Sequence, residues 1–290
     1  MASPREYVRR GVVGLPLPLS RRMLFLANYG YIPNLRNPRT FHEKLNWRIA
    51  YGRDPLLVVA SSKVQSKQYA QEVAPGVGIP RTLWHGDDLH ELQKNLQDKW
   101  VLKASHRSGC TLFGDGPSID ATALAAATDG WLNEHEWKRH RLWAYKHVRR
   151  ELILEERLPS LEDAPVDYKF FVFSGVVGMV QVDTGRFGSP RRHLYDADWT
   201  SLPFAYTHPR SEPCEPPPRY QGMCAAASRL GARFDFVRVD LYNIYGDTYF
   251  GELTAYPAGG LSHWPRELDE YLGQFWRLPQ DATVLAASAL

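Results

Sequence analysis

The chain has 290 residues, 44% hydrophobic and 23% charged, enough to bury a sizeable core and to divide into two or three lobes. A formal charge of +3, from 35 basic and 32 acidic side chains, admits anionic ligands such as nucleotides and gives no reason to expect a nucleic-acid partner. Cys110, Cys214 and Cys224 lie in no metal-type spacing and suit a reducing compartment, while prolines and arginines interrupt every apolar run before it could span a bilayer. A cytoplasmic protein without a transmembrane segment is expected, and its basic N-terminus leaves peripheral contact with a membrane surface open.

The first 50 residues read as mostly helical with proline-rich breaks. In "NPRTFHEKLNWRIAYG", Thr40 and Glu43 have capping-box spacing ahead of Leu45, Trp47 and Ile49. "SSKVQSKQYAQEVA" (61–74) predicts a helix stopped by Pro75 and Gly76, and a short strand is expected around "GIPRTLWHG". "DDLHELQKNLQ" (87–97) repeats Leu at helical spacing behind an Asp pair able to cap it. "WVLKASHRSGCTLFGDG" (100–116) predicts a hairpin with a small, polar tip around Ser108 and Gly109.

Residues 119–149 read as helical, with Trp131, Trp137 and Trp143 as core residues, and "ELILEERL" (151–158) as a strand ending on acids. "DYKFFVFSGVVGMVQVDTG" (167–185) is two strands around a Ser174–Gly175 turn. A proline-rich loop over 209–218 leads to a helix in "YQGMCAAASRLGA", then a last hairpin, and the final ten residues read as a loose tail. Helices followed by antiparallel strands with few helices between them make an α+β fold.

That last hairpin, "VRVDLYNIYGDTYFGEL" (237–253), carries the chemistry. Centred on Gly246, it sets Asp240 opposite Glu252, Arg238 opposite Thr254 and Tyr242 opposite Phe250. Opposed like charges destabilise a hairpin, by an amount comparable to the roughly 0.2–1 kcal/mol of a favourable cross-strand pair. A divalent cation between the carboxylates removes the penalty, and so does a solvated face with Arg238 as partner; the hairpin alone leaves both readings open.

Three other segments add to it. Lys103, on the strand before "SHRSGC", can reach phosphates that the backbone N–H groups around Ser108 and Gly109 would cover. "LILEERL" offers main-chain groups to an adenine edge, with Glu162 or Asp163 beyond it for ribose hydroxyls. Lys169, flanked by Tyr168 and Phe170, points to the face opposite both. For each of these a solvated strand position is the competing reading. "SPRRHLYD" supplies Arg191, Arg192 and His193 for gripping an acidic acceptor, or is a solvated basic loop.

Taken in order, "NPRTFHEKLNWR", "VLKASHRSG", "LILEERL", "DYKFFVFSGVVGMVQVD", "RRHLYDADW", "FVRVDLYN" and "YFGELTAYPAGG" resemble the TupA-like ATP-grasp family, named for teichuronopeptide biosynthesis. The resemblance implies two α+β lobes clamping Mg-ATP behind a smaller N-terminal lobe, divided as 1–78, 79–150 and 151–280 with a tail over 281–290. By position it implies that Lys103 and Lys169 hold phosphates and that Glu155, Glu156 and Leu158 form the adenine hinge, with Glu162 at the ribose. Asp240 and Glu252 would bind Mg²⁺, with Arg238 near the transferred phosphate. Thr254 stands where many ATP-grasp enzymes have an Asn ligand, and a hydroxyl is a weaker donor than an amide carbonyl. Ser62 stands before the helix lysine Lys63 where an Asp is frequent, which leaves that helix end without an assigned role.

The implied activity is an ADP-forming carboxylate–amine ligase working through an acyl phosphate, in the synthesis of a cell-surface polymer or a secondary metabolite. Its partners would be a small-molecule, glycan or peptide acceptor. A small-molecule kinase shares the chemistry up to phosphoryl transfer, and a non-catalytic nucleotide-binding module is the third reading.

Overall fold

Thr40 caps its helix as the spacing predicts: its hydroxyl accepts from the Glu43 N–H while the Glu43 carboxylate accepts from the Thr40 N–H. The computed structural model describes residues 12, 14–92, 99–116, 120–132, 137, 141–159, 166–185 and 188–279. Within them four helices come first: α1 (Leu17–Tyr29), α2 (Phe41–Tyr51), α3 (Leu56–Ser61) and α4 (Lys63–Val73). The helix expected over 61–74 starts at Lys63, because Ser62 is extended and its side chain accepts from the Gln65 N–H as an N-cap.

Two antiparallel sheets follow. The first takes β1 (Thr82–Gly86), β2 (Trp100–Ala104), β3 (Thr111–Gly114) and β4 (Leu152–Glu156) in the order β1-β4-β2-β3. Thus Leu152–Glu156, beyond the division expected at residue 150, hydrogen-bonds into the first sheet. The second sheet takes β5 (Asp167–Phe173), β6 (Val176–Thr184), β7 (Arg191–Tyr195), β8 (Val237–Ile244) and β9 (Asp247–Thr254) in the order β7-β6-β5-β8-β9. Four further helices among the described residues, α5 (Ala121–Ala127), α6 (Trp143–His147), α7 (Tyr220–Gly231) and α8 (Arg266–Phe275), complete the α+β fold.

Two helical expectations are corrected. Of residues 87–97, the described part holds a single 3₁₀ turn at Leu89–Glu91, capped by Asp88, and Leu92 is already extended. Of residues 119–149, the described part is helical at α5, Trp137 and α6 and turns at 128–132, where Thr128 leaves the helical region with its hydroxyl bonded back to the Leu124 carbonyl. The expected tail lies outside the described residues.

The β8–β9 turn has Tyr245 and Gly246 both at positive φ, 53° and 96°, the geometry of a two-residue primed turn. Asp240 faces Glu252 and Arg238 faces Thr254, as the pattern predicts. Tyr242 pairs with Tyr249, not Phe250, because the turn is centred between Tyr245 and Gly246, and a one-residue shift of the ladder between Asp240 and Leu241 then restores the Asp240–Glu252 pair. Gly251 is the extra residue. A Cβ there would stand 2.9 Å from the Asp240 carbonyl oxygen, so only glycine lets the strands close. Phe250 consequently pairs with Leu241 on the buried face, while Glu252, two residues on, stays on the face of Asp240.

The larger core joins the second sheet to α2, α3, α4, α7 and α8, and a smaller one lies under the first sheet. Phe41 is a hub of the larger core: fully buried, it stacks on Trp264 and meets Phe236 edge-on, each at a centroid distance of 4.9 Å. Phe41→Ala should lower unfolding stability by about 3–5 kcal/mol. Urea unfolding followed by tryptophan fluorescence will show a reduced midpoint with an unchanged slope.

Candidate active site

Strand pleating brings the charges of the second sheet together. Asp240 is directly opposite Lys169 on β5 and Glu252 on β9, so all three side chains share one face across three strands. Arg238, two residues before Asp240, lies on the same face and grips both Asp240 oxygens at 2.7 Å; one of its nitrogens also reaches Glu252 at 3.4 Å. This is the bidentate geometry for which a guanidinium is suited.

Lys169 is buried between Asp167 at 2.9 Å and Asp183 at 3.0 Å. Asp183 is also held by Arg192, at 2.6 and 3.0 Å, and by the Gln181 amide at 2.8 Å. The Tyr206 hydroxyl, under the Arg192 guanidinium, donates to the Gln181 side-chain oxygen.

Burial and neighbours push the two opposed carboxyls apart. Burial raises the Asp240 carboxyl above its ordinary range, and it prevails although Arg238 and Lys169 oppose it. For Glu252 burial also acts upward, but Lys63, Arg238, Lys169 and Lys103 together outweigh it and hold the group low. The Asp240 side chain is 5% exposed and that of Glu252 36%, so Glu252 is the member that meets solvent.

Glu252 opens onto a cavity of about 380 Å³. Arg238 and Thr254 line it from the second sheet, Lys63 and Ser66 from α4, and Arg107 and Ser108 from the β2–β3 tip. Tyr145 on α6, Tyr256, and a turn at Ala258–Gly259 with both residues at positive φ complete the wall. Lys63 is fixed from both ends: its backbone N–H donates to the Ser105 carbonyl and its ammonium to the Arg107 carbonyl at 2.8 Å. Burial lowers its pKa, with Glu252 working in the opposite direction.

On the first sheet, Lys103 donates to Glu155 at 2.5 Å and Lys67 of α4 donates to the other Glu155 oxygen at 2.7 Å. Burial alone would raise the Glu155 carboxyl; the two lysines bring it below its ordinary value. Glu156 bonds to Arg81 through backbone and side chain, and Leu158 follows half-buried beyond the end of β4.

The structure therefore brings Lys169, Arg238, Asp240, Glu252 and Thr254 together, with Ser108 across the cavity and Lys103 and Glu155 on the facing sheet. Gly109, at φ 78°, is exposed at the loop tip beside Ser108. Glu162 lies outside the described residues. Arg191, Arg192 and His193 stand on β7 at the sheet edge and do not line the cavity. Arg191 is exposed, Arg192 is engaged with Asp183, and His193 is buried between Ser201 and the Ser211 carbonyl.

Lys63, Lys67, Asp183 and Arg107 were not marked by the strand and turn patterns. The one sequence sign for Lys63 was its place directly after a helix-capping serine.

Asp240 and Glu252 fit a Mg²⁺ ion entering with phosphates. They are hard oxygen donors on one face, Glu252 is open to the cavity, and Mg²⁺ takes one or two carboxylates alongside phosphate oxygens. Among the described residues no three His, Cys, Asp or Glu side chains converge as a metal cage.

The two antiparallel sheets, with Arg238, Glu252 and Thr254 of the second lining the cavity beside Lys63 of α4, make the α+β arrangement of an ATP-grasp fold. Residues 43–277 match the TupA-like ATP-grasp family, and the chain belongs to that family.

Among solved structures, a D-alanine–D-alanine ligase from Bacillus anthracis aligns at 13% identity and a TM-score of 0.45, over 81% of this chain and 71% of that one. The VanG D-Ala:D-Ser ligase from Enterococcus faecalis aligns at 16% and 0.44, over 76% and 63%. An L-amino acid ligase from Bacillus licheniformis aligns at 14% and 0.40, over 88% of this chain and 53% of that one. These distant likenesses assign no residue here. No curated protein matches the chain.

Asp183 yields a pH prediction. Burial raises its carboxyl, but Arg192 and Lys169 outweigh burial and bring it from 3.8 to about 2. A depressed folded pKa stabilises above the unfolded value and is lost as pH falls through the folded one. Asp183→Asn should therefore cost about 2 kcal/mol at neutral pH and about half that near pH 3. Urea titrations of both proteins at the two pH values check this; an equal difference at both would assign the loss to packing.

Proposed function

We propose that the protein is an ATP-dependent, ADP-forming carboxylate–amine ligase that works through an acyl phosphate. The observation that carries this reading is the opposed pair Asp240 and Glu252, gripped by Arg238 at the cavity that Lys63 faces from α4. Mg²⁺ held by Asp240 and Glu252 would neutralise phosphate charge, with Thr254 as a weaker third donor. Lys103 and Lys169 would hold phosphates as point charges, the backbone of Ser108 and Gly109 would cover them, and Glu155, Glu156 and Leu158 would border the adenine, with Glu162 at the ribose.

In the first step a substrate carboxylate oxygen attacks the γ-phosphorus and the bond to ADP breaks. Arg238 and Lys63 face the charge gathering on the transferred group, preorganised by Asp240 and by the Arg107 carbonyl. In the second step an amine attacks the acyl carbon and phosphate leaves, forming the amide. The cavity opposes three cations, Lys63, Arg107 and Arg238, to one carboxylate, Glu252, which favours an acidic acceptor such as a sugar acid or an acidic peptide. Such an acceptor suits synthesis of a cell-surface polymer or a secondary metabolite. Arg191, exposed at the sheet edge, would meet a longer acceptor, while Arg192 and His193, committed to Asp183 and to Ser201 and Ser211, would hold that edge in place.

Incubation with Mg-ATP and a panel of acids and amines tests the reading. ADP and phosphate should appear only when an acid and an amine are both present. Glu252→Gln and Asp240→Asn should each lower ADP release by at least about a hundredfold while circular dichroism stays unchanged. AMP with pyrophosphate, or undiminished turnover in either variant, would overturn the mechanism.

A further inference from the structure

Helix α1 is amphipathic in an unusual sense: apart from Arg22, its polar residues face inward. Arg21 is fully buried, donating to Asn46 at 2.8 Å and to the Gly259 carbonyl at 2.7 Å. Asn28 donates to the Leu261 carbonyl at 2.9 Å, and the Tyr29 hydroxyl to that of Ser262. The outward face is apolar. Leu19, Met23 and Leu26 recur at i, i+4 and i+7 with 45%, 41% and 43% exposure, and Tyr31 and Ile32 continue the patch beyond the Gly30 cap. Five of the eight exposed large hydrophobic side chains among the described residues thus lie within fourteen positions, Leu19 to Ile32.

The charge that flanks this patch along the chain is nearly all of one sign, although Glu43 and Asp269 stand near Tyr31. Arg22 adjoins Met23, and exposed Arg36 and Arg39 follow Ile32. Residues 1–42 hold seven arginines and a single acid, Glu6, whereas the rest of the chain holds 28 basic and 31 acidic side chains. A second copy docked face to face would set Arg22 near its own counterpart with no acid on the helix to pair it. Residues 1–11 bring three more arginines, so they also repel this rim.

We propose that the outer face of α1 seats the protein on an anionic lipid surface, with Leu19, Met23, Leu26 and Ile32 entering the headgroup boundary and the arginines meeting lipid phosphates. The inner face of the same helix holds the turn that lines the cavity. Seating α1 therefore sets the catalytic cavity at a fixed height above the membrane, where a lipid-borne acceptor is available. This inference does not depend on the ligase reading.

Co-sedimentation of the full-length chain with vesicles tests it, using phosphatidylcholine alone and phosphatidylcholine with about 30 mol% phosphatidylglycerol. Binding should require the anionic lipid and fall at least tenfold between about 0.05 and 0.5 M NaCl. The double variant Met23→Glu/Leu26→Glu should lose at least about tenfold in bound-to-free ratio while keeping its melting temperature. Arg22→Glu/Arg36→Glu/Arg39→Glu should do the same. Equal binding to neutral vesicles, no binding to either, or unchanged binding in the variants would each overturn the proposal. So would a dimer in sedimentation velocity that Met23→Glu/Leu26→Glu dissociates while vesicles leave the protein in solution.

Discussion

The grip of Arg238 on Asp240 is the interaction on which the arrangement rests. Two carboxylates directly opposed on neighbouring strands repel, and one of them is almost wholly buried. Without a cation on the same face, this end of the sheet would carry an uncompensated charge, a change that costs several kcal/mol in a protein interior. The two-residue spacing of Arg238 and Asp240 places the cation on the required face because side chains alternate along a strand. Around that pair the sheet alternates sign: Asp167 and Asp183 about Lys169, then Arg192 beyond. Each group has a partner, and the network is rigid because its members sit on paired strands.

The first sheet solves the same problem with the signs reversed. Buried Glu155 lies between Lys67 and Lys103, one from a helix and one from a neighbouring strand. Helix α4 thereby joins the two halves: its N-terminal Lys63 is bonded to the β2–β3 loop, and Gly78, just beyond it, pairs with β9 through the Thr248 carbonyl and the Phe250 N–H. Lys63 and Glu252 face one cavity because both are anchored by main-chain bonds, so their separation does not depend on the conformation of a long side chain.

What was legible in the sequence was local. The hairpins at 167–185 and 237–254 declare themselves through period-two alternation and turn residues tolerant of positive φ, and a count centred on Gly246 pairs Asp240 with Glu252 because the bulge at Gly251 offsets the two-residue turn. The count fails at Phe250 because the turn is the two residues Tyr245 and Gly246, and it recovers at Glu252 only through a bulge, set by how closely two backbones approach, which alternation does not record. The stretch 119–149 misled because alanine-rich composition predicts helix without indicating where tertiary contacts interrupt it. The phosphate and metal roles given to Lys103, Lys169, Asp240 and Glu252 come from the family resemblance and not from the alternation of the strands. Lys63, Lys67 and Asp183 acquire their environment from segments 40 to 90 residues away or from a neighbouring strand, and the patterns held no sign of that.

The bulge at Gly251 also determines how this region tolerates change in length. In a regular strand Phe250 and Glu252 would share a face, and one of them would be misplaced: a phenyl ring in the cavity or a carboxylate in the core. The extra glycine lets an aromatic anchor and a charged side chain sit two positions apart on opposite sides of the sheet. Deleting that one residue would leave composition almost untouched, yet it would invert every side chain on one half of the strand relative to the other. Gly251 thus works as a frame marker. Substitutions across β9 can be absorbed singly, but insertions and deletions there are expected only in compensating pairs that restore the half-turn.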